Sequence, residues 1–183
     1  MRVLVACEFS GRVREAFRAK GHDAVSCDLL PSEIPGPHLQ GDVRKILGNE
    51  FDMLIAFPPC TWLCTVGSGI LRWDDSYAQE QRKALDFVRT LLYAPIPKIA
   101  LENPVGAIST NIYPPDQIVQ PWWFGDPYTK KTCLWLKNLP KLHATENWCR
   151  TGRQSWVMTG TKDAKRRSRT FPGLAKAMAD QWG

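Results

Sequence analysis

Short apolar runs alternate with amphipathic stretches along this chain, the pattern of an α/β protein. Arg2–Cys7, Ala24–Cys27, Met53–Phe57, Lys98–Leu101 and Thr132–Leu136 show little polar alternation, as strands covered on both faces of a parallel sheet require. Between the first two runs, Ser10 to Lys20 predicts a helix. Ser10 can cap it, Val13, Ala16 and Phe17 share one face, and Gly21 offers a stop. This β-α-β opening favours parallel strands joined by right-handed crossovers. A Pro/Gly-rich connection, Pro31 to Pro37, then leads to Gly41-Asp42. Ser76-Tyr-Ala-Gln79 reads as a capping box, opening a helix to about Tyr93 that turns Ala84, Leu85, Val88, Leu91 and Leu92 inward. Leu174 to Trp182 predicts a terminal helix. The expected fold class is α/β, with a doubly wound, mostly parallel sheet.

Composition narrows the picture. A chain of 183 residues fits one domain with a full core. No apolar run reaches membrane-spanning length, and the apolar N-terminal segment is too short for a signal peptide, so a cytoplasmic location is the expectation. The six cysteines form no CxxC pair, which argues against a zinc site or a disulfide scaffold. Net charge is +6, and from Thr151 onward seven basic residues face only Asp163 and Asp180. That basic end reads either as a phosphate-binding surface or as a solvated face.

Candidate chemistry gathers at strand ends. The run Asp52-Met-Leu-Ile-Ala-Phe-Pro-Pro-Cys60 stops abruptly, because each proline lacks an N–H and holds φ at about −65°. Cys60 is therefore presented beyond a strand's carboxyl end, the edge where open α/β sheets bind ligands. The run Lys98–Leu101 closes in the same way on Glu102-Asn103-Pro104. A carboxylate there is costly unless it is paired or functional. Alone, Glu102 reads as a capping or salt-bridged residue; with Cys60 on an adjacent parallel strand, it reads as a partner in catalysis. The first β-α turn, Ala6-Cys7-Glu8-Phe9-Ser10-Gly11, has one glycine where dinucleotide loops have three, which argues against NAD. Asp28 ends the second strand, where an acidic group takes a ribose diol or caps a turn. Asp42 reads as a ligand to an adenine amine or as a turn residue.

Pro59-Cys60, then Glu102-Asn103, with Asp28 and Gly41-Asp42 upstream, resemble the motif series of cytosine-C5 DNA methyltransferases over most of residues 1–136. The resemblance implies a Rossmann-like domain of the S-adenosyl-L-methionine-dependent methyltransferase type. The cofactor would lie along Ala6, Cys7, Glu8, Phe9, Ser10 and Gly11, with Asp28, Asp42 and Pro58. Cys60 would add to C6 of a cytosine while Glu102 holds N3 and the exocyclic amine. C5 would then take the sulfonium methyl, and loss of its proton with release of Cys60 would restore the ring. Pro59, Asn103, Lys130, Lys131, Thr132, Arg166 and Arg167 would meet the substrate. Covalent addition splits one hard step into two easier ones. The chemistry calls for positive charge to lower the thiol pKa and for burial to raise that of Glu102.

The departures shape the alternatives. Glu8 stands where a glycine is usual, Thr61-Trp62-Leu63-Cys64 replaces a Gln-Pro-Phe-Ser type of sequence, and the Gln-x-Arg-x-Arg element is absent, with Lys130-Lys131-Thr132 as its stand-in. Between Leu136 and Phe171 only about 35 residues take the place of a recognition domain. In this basic and aromatic insert (137–170), Trp148 and Trp156 sit among Arg150, Arg153, Lys162, Arg166 and Arg167, a mixture able to stack bases and hold phosphates. Trp122, Trp135 and Trp182 read instead as core. The substrate is then DNA, duplex or single-stranded, or a free pyrimidine nucleotide such as dCMP. A non-catalytic protein that binds nucleic acid or cofactor is the third reading. Amino methylation ranks below these, because Phe57, the residue before the prolines, cannot accept a hydrogen bond.

Overall fold

The computed structural model describes residues 1–48, 50–64, 75–146, 154–155 and 164–183. Strands β1 (Arg2–Ala6), β2 (Asp23–Asp28), β3 (His38–Gln40), β4 (Met53–Ala56), β5 (Lys98–Pro104), β6 (Gln117–Val119) and β8 (Thr132–Lys137) form a seven-stranded sheet. The spatial order is β3-β2-β1-β4-β5-β8-β6, and all strands run parallel except β8, which is antiparallel to both its neighbours. The short strands β7 (Tyr128–Thr129) and β9 (Gln154–Ser155) pair separately. The helices are α1 (Arg12–Arg18), α2 (Asp75–Leu92), α3 (Ala107–Asn111), α4 (Ala164–Ser168) and α5 (Pro172–Trp182).

The unbroken apolar runs are explained by helices on both sides. Along β1, Val3 and Val5 pack with Phe17 of α1 and Leu174 and Met178 of α5, whereas Leu4 and Ala6 pack with Leu85, Val88 and Leu91 of α2. Met53 and Ile55 of β4 join the first cluster, and Leu54 and Ala56 the second. Each large aliphatic side chain buried this way contributes roughly 1.5–3 kcal/mol. The fold is therefore a doubly wound, Rossmann-like α/β sheet. Among the described residues, no helix is long and apolar enough to cross a membrane.

Several boundaries differ from the sequence expectation, each for a local reason. Helix α1 opens at Arg12, not Ser10, because Gly11 turns the chain at φ 73°. Two side chains share that end: the Ser10 hydroxyl oxygen accepts Arg12 N–H at 3.3 Å, and Glu8 Oε1 accepts Val13 N–H at 3.1 Å and the Ser10 hydroxyl at 2.7 Å. Ser76 lies inside α2 and does not cap it, and the loop expected from Thr65 onward falls outside the described residues up to position 74. Strand β3 was not anticipated, since its three residues are polar or exposed. Glu102, Asn103 and Pro104 do not follow β5 but belong to it, because β8 extends the ladder through Glu102↔Leu134, Asn103↔Cys133 and Pro104↔Thr132. The proline is tolerated because it occupies the strand's last position.

Arg14 has no counterpart in the apolar pattern. It is fully buried on α1 and donates to the hydroxyls of Ser26 (2.9 Å) and Ser32 (3.0 Å) and to the carbonyl of Ile34 (2.7 Å). A buried guanidinium is tolerable only when its fork is satisfied. Here it fastens the connection between β2 and β3 to the helix.

Candidate functional site

Because β1 neighbours both β2 and β4, the chain reverses its winding direction there and leaves a crevice beyond the carboxyl ends of the strands. The crevice holds a cavity of about 370 Å³, within the size range of small-molecule sites. Cys7, Asp28, Asp42 and Arg44 line one side, Pro59 and Trp62 another, and Ala84 and Phe87 of α2 close it. Asp28 is the last residue of β2 and accepts the Leu30 N–H at 2.9 Å. Asp42 starts a helical turn by accepting Arg44 N–H at 3.0 Å. Its carboxylate also takes the Arg44 guanidinium, Nε at 2.9 Å and Nη2 at 2.6 Å. Those hydrogen bonds hold its pKa below the ordinary value, and the same guanidinium lies 5.8 Å from the Phe87 ring centre.

The residues expected to hold a cofactor divide into two groups. Cys7, Asp28 and Asp42 line the cavity. Ala6 and Pro58 are buried close by in or after the strands, while Phe9, Ser10 and Gly11 form the buried entry to α1. Glu8, also buried, is engaged as the helix cap; burial pushes its pKa up, against the opposing hydrogen bonds from Ser10 and Val13. One of its oxygens, Oε2, has no partner among the described residues. Cys7 leaves β1 in the left-handed region, φ 57°. Its thiol is pushed up to about 12 by burial first and then by the charges of Asp28, Cys27 and Asp42, which makes it inert. Trp62, Phe87 and Arg44 were missed. Phe87 lies three positions after Ala84 on one face of α2, a signal hidden within an amphipathic helix.

At the next strand end, β4 and β5 pair in parallel with Ala56 opposite Leu101. Asn103 Nδ2 donates to the Pro58 carbonyl at 2.8 Å. This buried amide ties the exit of β4 to β5, while its Oδ1 has no partner among the described residues. Pro59 and Cys60 are exposed beyond that tie. The Cys60 carbonyl accepts Leu63 N–H at 3.0 Å and Cys64 N–H at 2.9 Å, closing a single turn. The turn rests on the end of β5 through a bridge between Cys64 and Gly106 and through Ala107 N–H donating to Leu63 O at 2.6 Å.

Glu102 is half-buried and shares a small pocket with Lys130, Thr132, Arg169, Thr170 and Phe171. Burial raises its pKa and Lys130 opposes the rise. The Cys60 thiol is also raised, by desolvation first and then by Cys64; Lys130 pulls it down and Glu102 pushes it up. The residue is exposed, yet its sulfur lies against enough protein for desolvation to lead. Thiol, carboxyl and ammonium thus lie within electrostatic reach of one another. The expectation of a lowered thiol pKa is not met: a single cation does not outweigh desolvation and two repulsive neighbours.

Lys130 is anchored by its N–H to Gln120 Oε1 at 2.9 Å, and its ammonium lies 5.9 Å from the Phe171 ring centre. Thr132 is buried, whereas Lys131 is exposed, as are Arg166 and Arg167 on α4. Arg169, one of the basic residues expected to form a phosphate-binding surface or a solvated face, pairs with Glu33 through two 2.8 Å hydrogen bonds. Trp135 and Trp182 are core, and Trp122 is half-buried. Trp148, Trp156, Arg150, Arg153 and Lys162 lie outside the described residues. Among the described residues no cluster of metal-ligating side chains is present.

No protein-family model matches the chain, and no curated protein does. Among solved structures, one described as a candidate DNA modification methyltransferase encoded within an E. coli prophage is similar, with 17% identity and a TM-score of 0.47. The match covers 74% of this chain and 46% of that one, so this chain spans less than half its length. A likeness of that degree carries no functional argument.

Proposed function

We propose that the protein transfers a methyl group from S-adenosyl-L-methionine to C5 of cytosine in DNA, through a covalent adduct between Cys60 and C6. The observation that carries this reading is the parallel pairing of β4 with β5, which sets Cys60 and Glu102 at one edge of the sheet beside a cavity of cofactor size.

The cavity's lining suits a nucleoside. Asp28, at the end of β2, would accept from a ribose diol, and Trp62 and Phe87, which also line the cavity, would pack against a purine. The bound cofactor would supply an electrophilic methyl group. The protein's own part is to hold and polarise the pyrimidine. Glu102, whose pKa burial raises against the pull of Lys130, would in its protonated form donate to N3 and accept from the exocyclic amine, drawing electron density from C6. Cys60 would attack there as thiolate. Since its pKa is raised, the proton must leave on or before attack, and Lys130 stabilises the anion that results. Asn103 holds the Pro58–Cys60 segment in place. Lys131, Arg166 and Arg167, with the insert 137–170 in place of a recognition domain, would meet phosphates.

The test offers labelled S-adenosyl-L-methionine in parallel with duplex DNA, single-stranded DNA and dCMP. Transfer to DNA, abolished in Cys60→Ala, and trapping of a 5-fluorocytosine substrate on Cys60 are expected. Trapping on another residue, or undiminished transfer by Cys60→Ala, would defeat the proposal. A free nucleotide is the second reading, favoured by the small pocket around Glu102, where Lys130 and Arg169 could face a single phosphate. Transfer to dCMP alone would select it. Absence of any heat or thermal shift with S-adenosylhomocysteine would select a protein without turnover.

A further inference from the structure

The turn that presents Cys60 carries a second thiol with no part in the chemistry above. Cys64 lies one turn further on, its N–H bonded to the Cys60 carbonyl at 2.9 Å, and Cys64 is close enough to Cys60 to raise its thiol pKa. Four residues of helical turn separate α-carbons by about 6 Å, inside the span that a disulfide bridges. The backbone on the Cys64 side is held by the bridge to Gly106. Cys60 is exposed and reachable by a soluble oxidant, whereas Cys27 and Cys133 are buried.

We propose that Cys60 and Cys64 form a reversible redox site, at which a peroxide closes an intramolecular disulfide and masks the Cys60 thiol. The Cys60 thiolate attacks one peroxide oxygen, the O–O bond breaks and hydroxide leaves, giving a sulfenic acid. The Cys64 thiolate then attacks that sulfur, the S–O bond breaks and a second hydroxide leaves. Each hydroxide takes up one thiol proton. The balance is two thiols and one peroxide to one disulfide and two waters. The raised pKa of Cys60 makes the first step slow near neutral pH and faster as pH rises. Once the sulfenic acid exists, Cys64 resolves it before further oxidation, because it sits on the same turn.

The disulfide itself does not depend on the proposed methyl transfer; only its effect on activity rests on that reading. Full-length protein is treated with hydrogen peroxide, then alkylated with iodoacetamide, digested and mapped by mass spectrometry. The expected result is a Cys60–Cys64 peptide lighter by two hydrogens, a loss of Cys60 alkylation of roughly tenfold or more, and full recovery with dithiothreitol. In Cys64→Ser, oxidation of Cys60 should proceed to sulfinic acid that dithiothreitol does not reverse. A disulfide between Cys7 and Cys27, an intermolecular dimer, or reversible oxidation persisting in Cys64→Ser would overturn the proposal. If the mapped disulfide forms while no methyl transfer is found under any condition, the redox site stands and the functional reading falls.

Discussion

Replacing Asn103 by alanine separates a residue that holds the site from one that touches substrate. Its amide donates to the Pro58 carbonyl at 2.8 Å in a buried setting. Removal strands that carbonyl without a partner, at a cost of about 1–3 kcal/mol. Part is offset, because Asn103 Oδ1 is itself buried without a partner and the substitution removes it. A net loss of about 1–2 kcal/mol follows, and at roughly 2–4 °C per kcal/mol for a chain of this size Tm should fall by about 2–8 °C. Asn103→Asp should cost more, since a carboxylate oxygen would then face the carbonyl with no N–H between them. Urea melts read the effect as a lowered midpoint at constant slope. Iodoacetamide labelling of Cys60 should also change, because the Pro58–Cys60 segment loses its tie. Wild-type midpoints for both variants would refute the account and return Asn103 to a role in substrate contact alone.

Three further outcomes can be checked independently. Lys130→Gln should slow Cys60 alkylation severalfold and Glu102→Gln should hasten it, because the ammonium lowers and the carboxylate raises the thiol pKa; equal rates across a pH series would show that the charges do not reach the sulfur. Methyl transfer should decline toward low pH as the thiolate is lost, and toward high pH as Glu102, whose pKa burial raises, loses its proton; a profile that does not fall at high pH in wild type would count against Glu102 as the proton donor. Gly106→Ala should destabilise the fold by about 1–3 kcal/mol in urea melts, since an added Cβ would meet the Leu63 carbonyl at 1.8 Å and displace the Cys60 turn.

Much of the architecture was legible because burial on both faces leaves a continuous apolar run, as in Met53–Ala56, and because prolines after such a run must end it. Strand ends are where ligands gather, so Cys60, Asp28 and Glu102 could be singled out from position alone. Local chemistry was read less well. Ser10 accepts from the first turn of α1 but shares that end with a buried glutamate that the sequence did not mark as a cap, and Ser76 lies within α2. Nothing in the order of residues marks Arg14 as core, since burial of a cation depends on acceptors that converge from Ser26, Ser32 and Ile34 only after folding. The thiol pKa likewise depends on neighbours far apart in the chain, with Glu102 arriving on β5, Lys130 on the link between β7 and β8, and Cys64 on the same turn. The sequence by itself determined which side chains stand at the strand ends. The pairing of β4 with β5 decided that a thiol and a carboxyl share one edge, because only the register of a sheet converts separation along the chain into proximity in space.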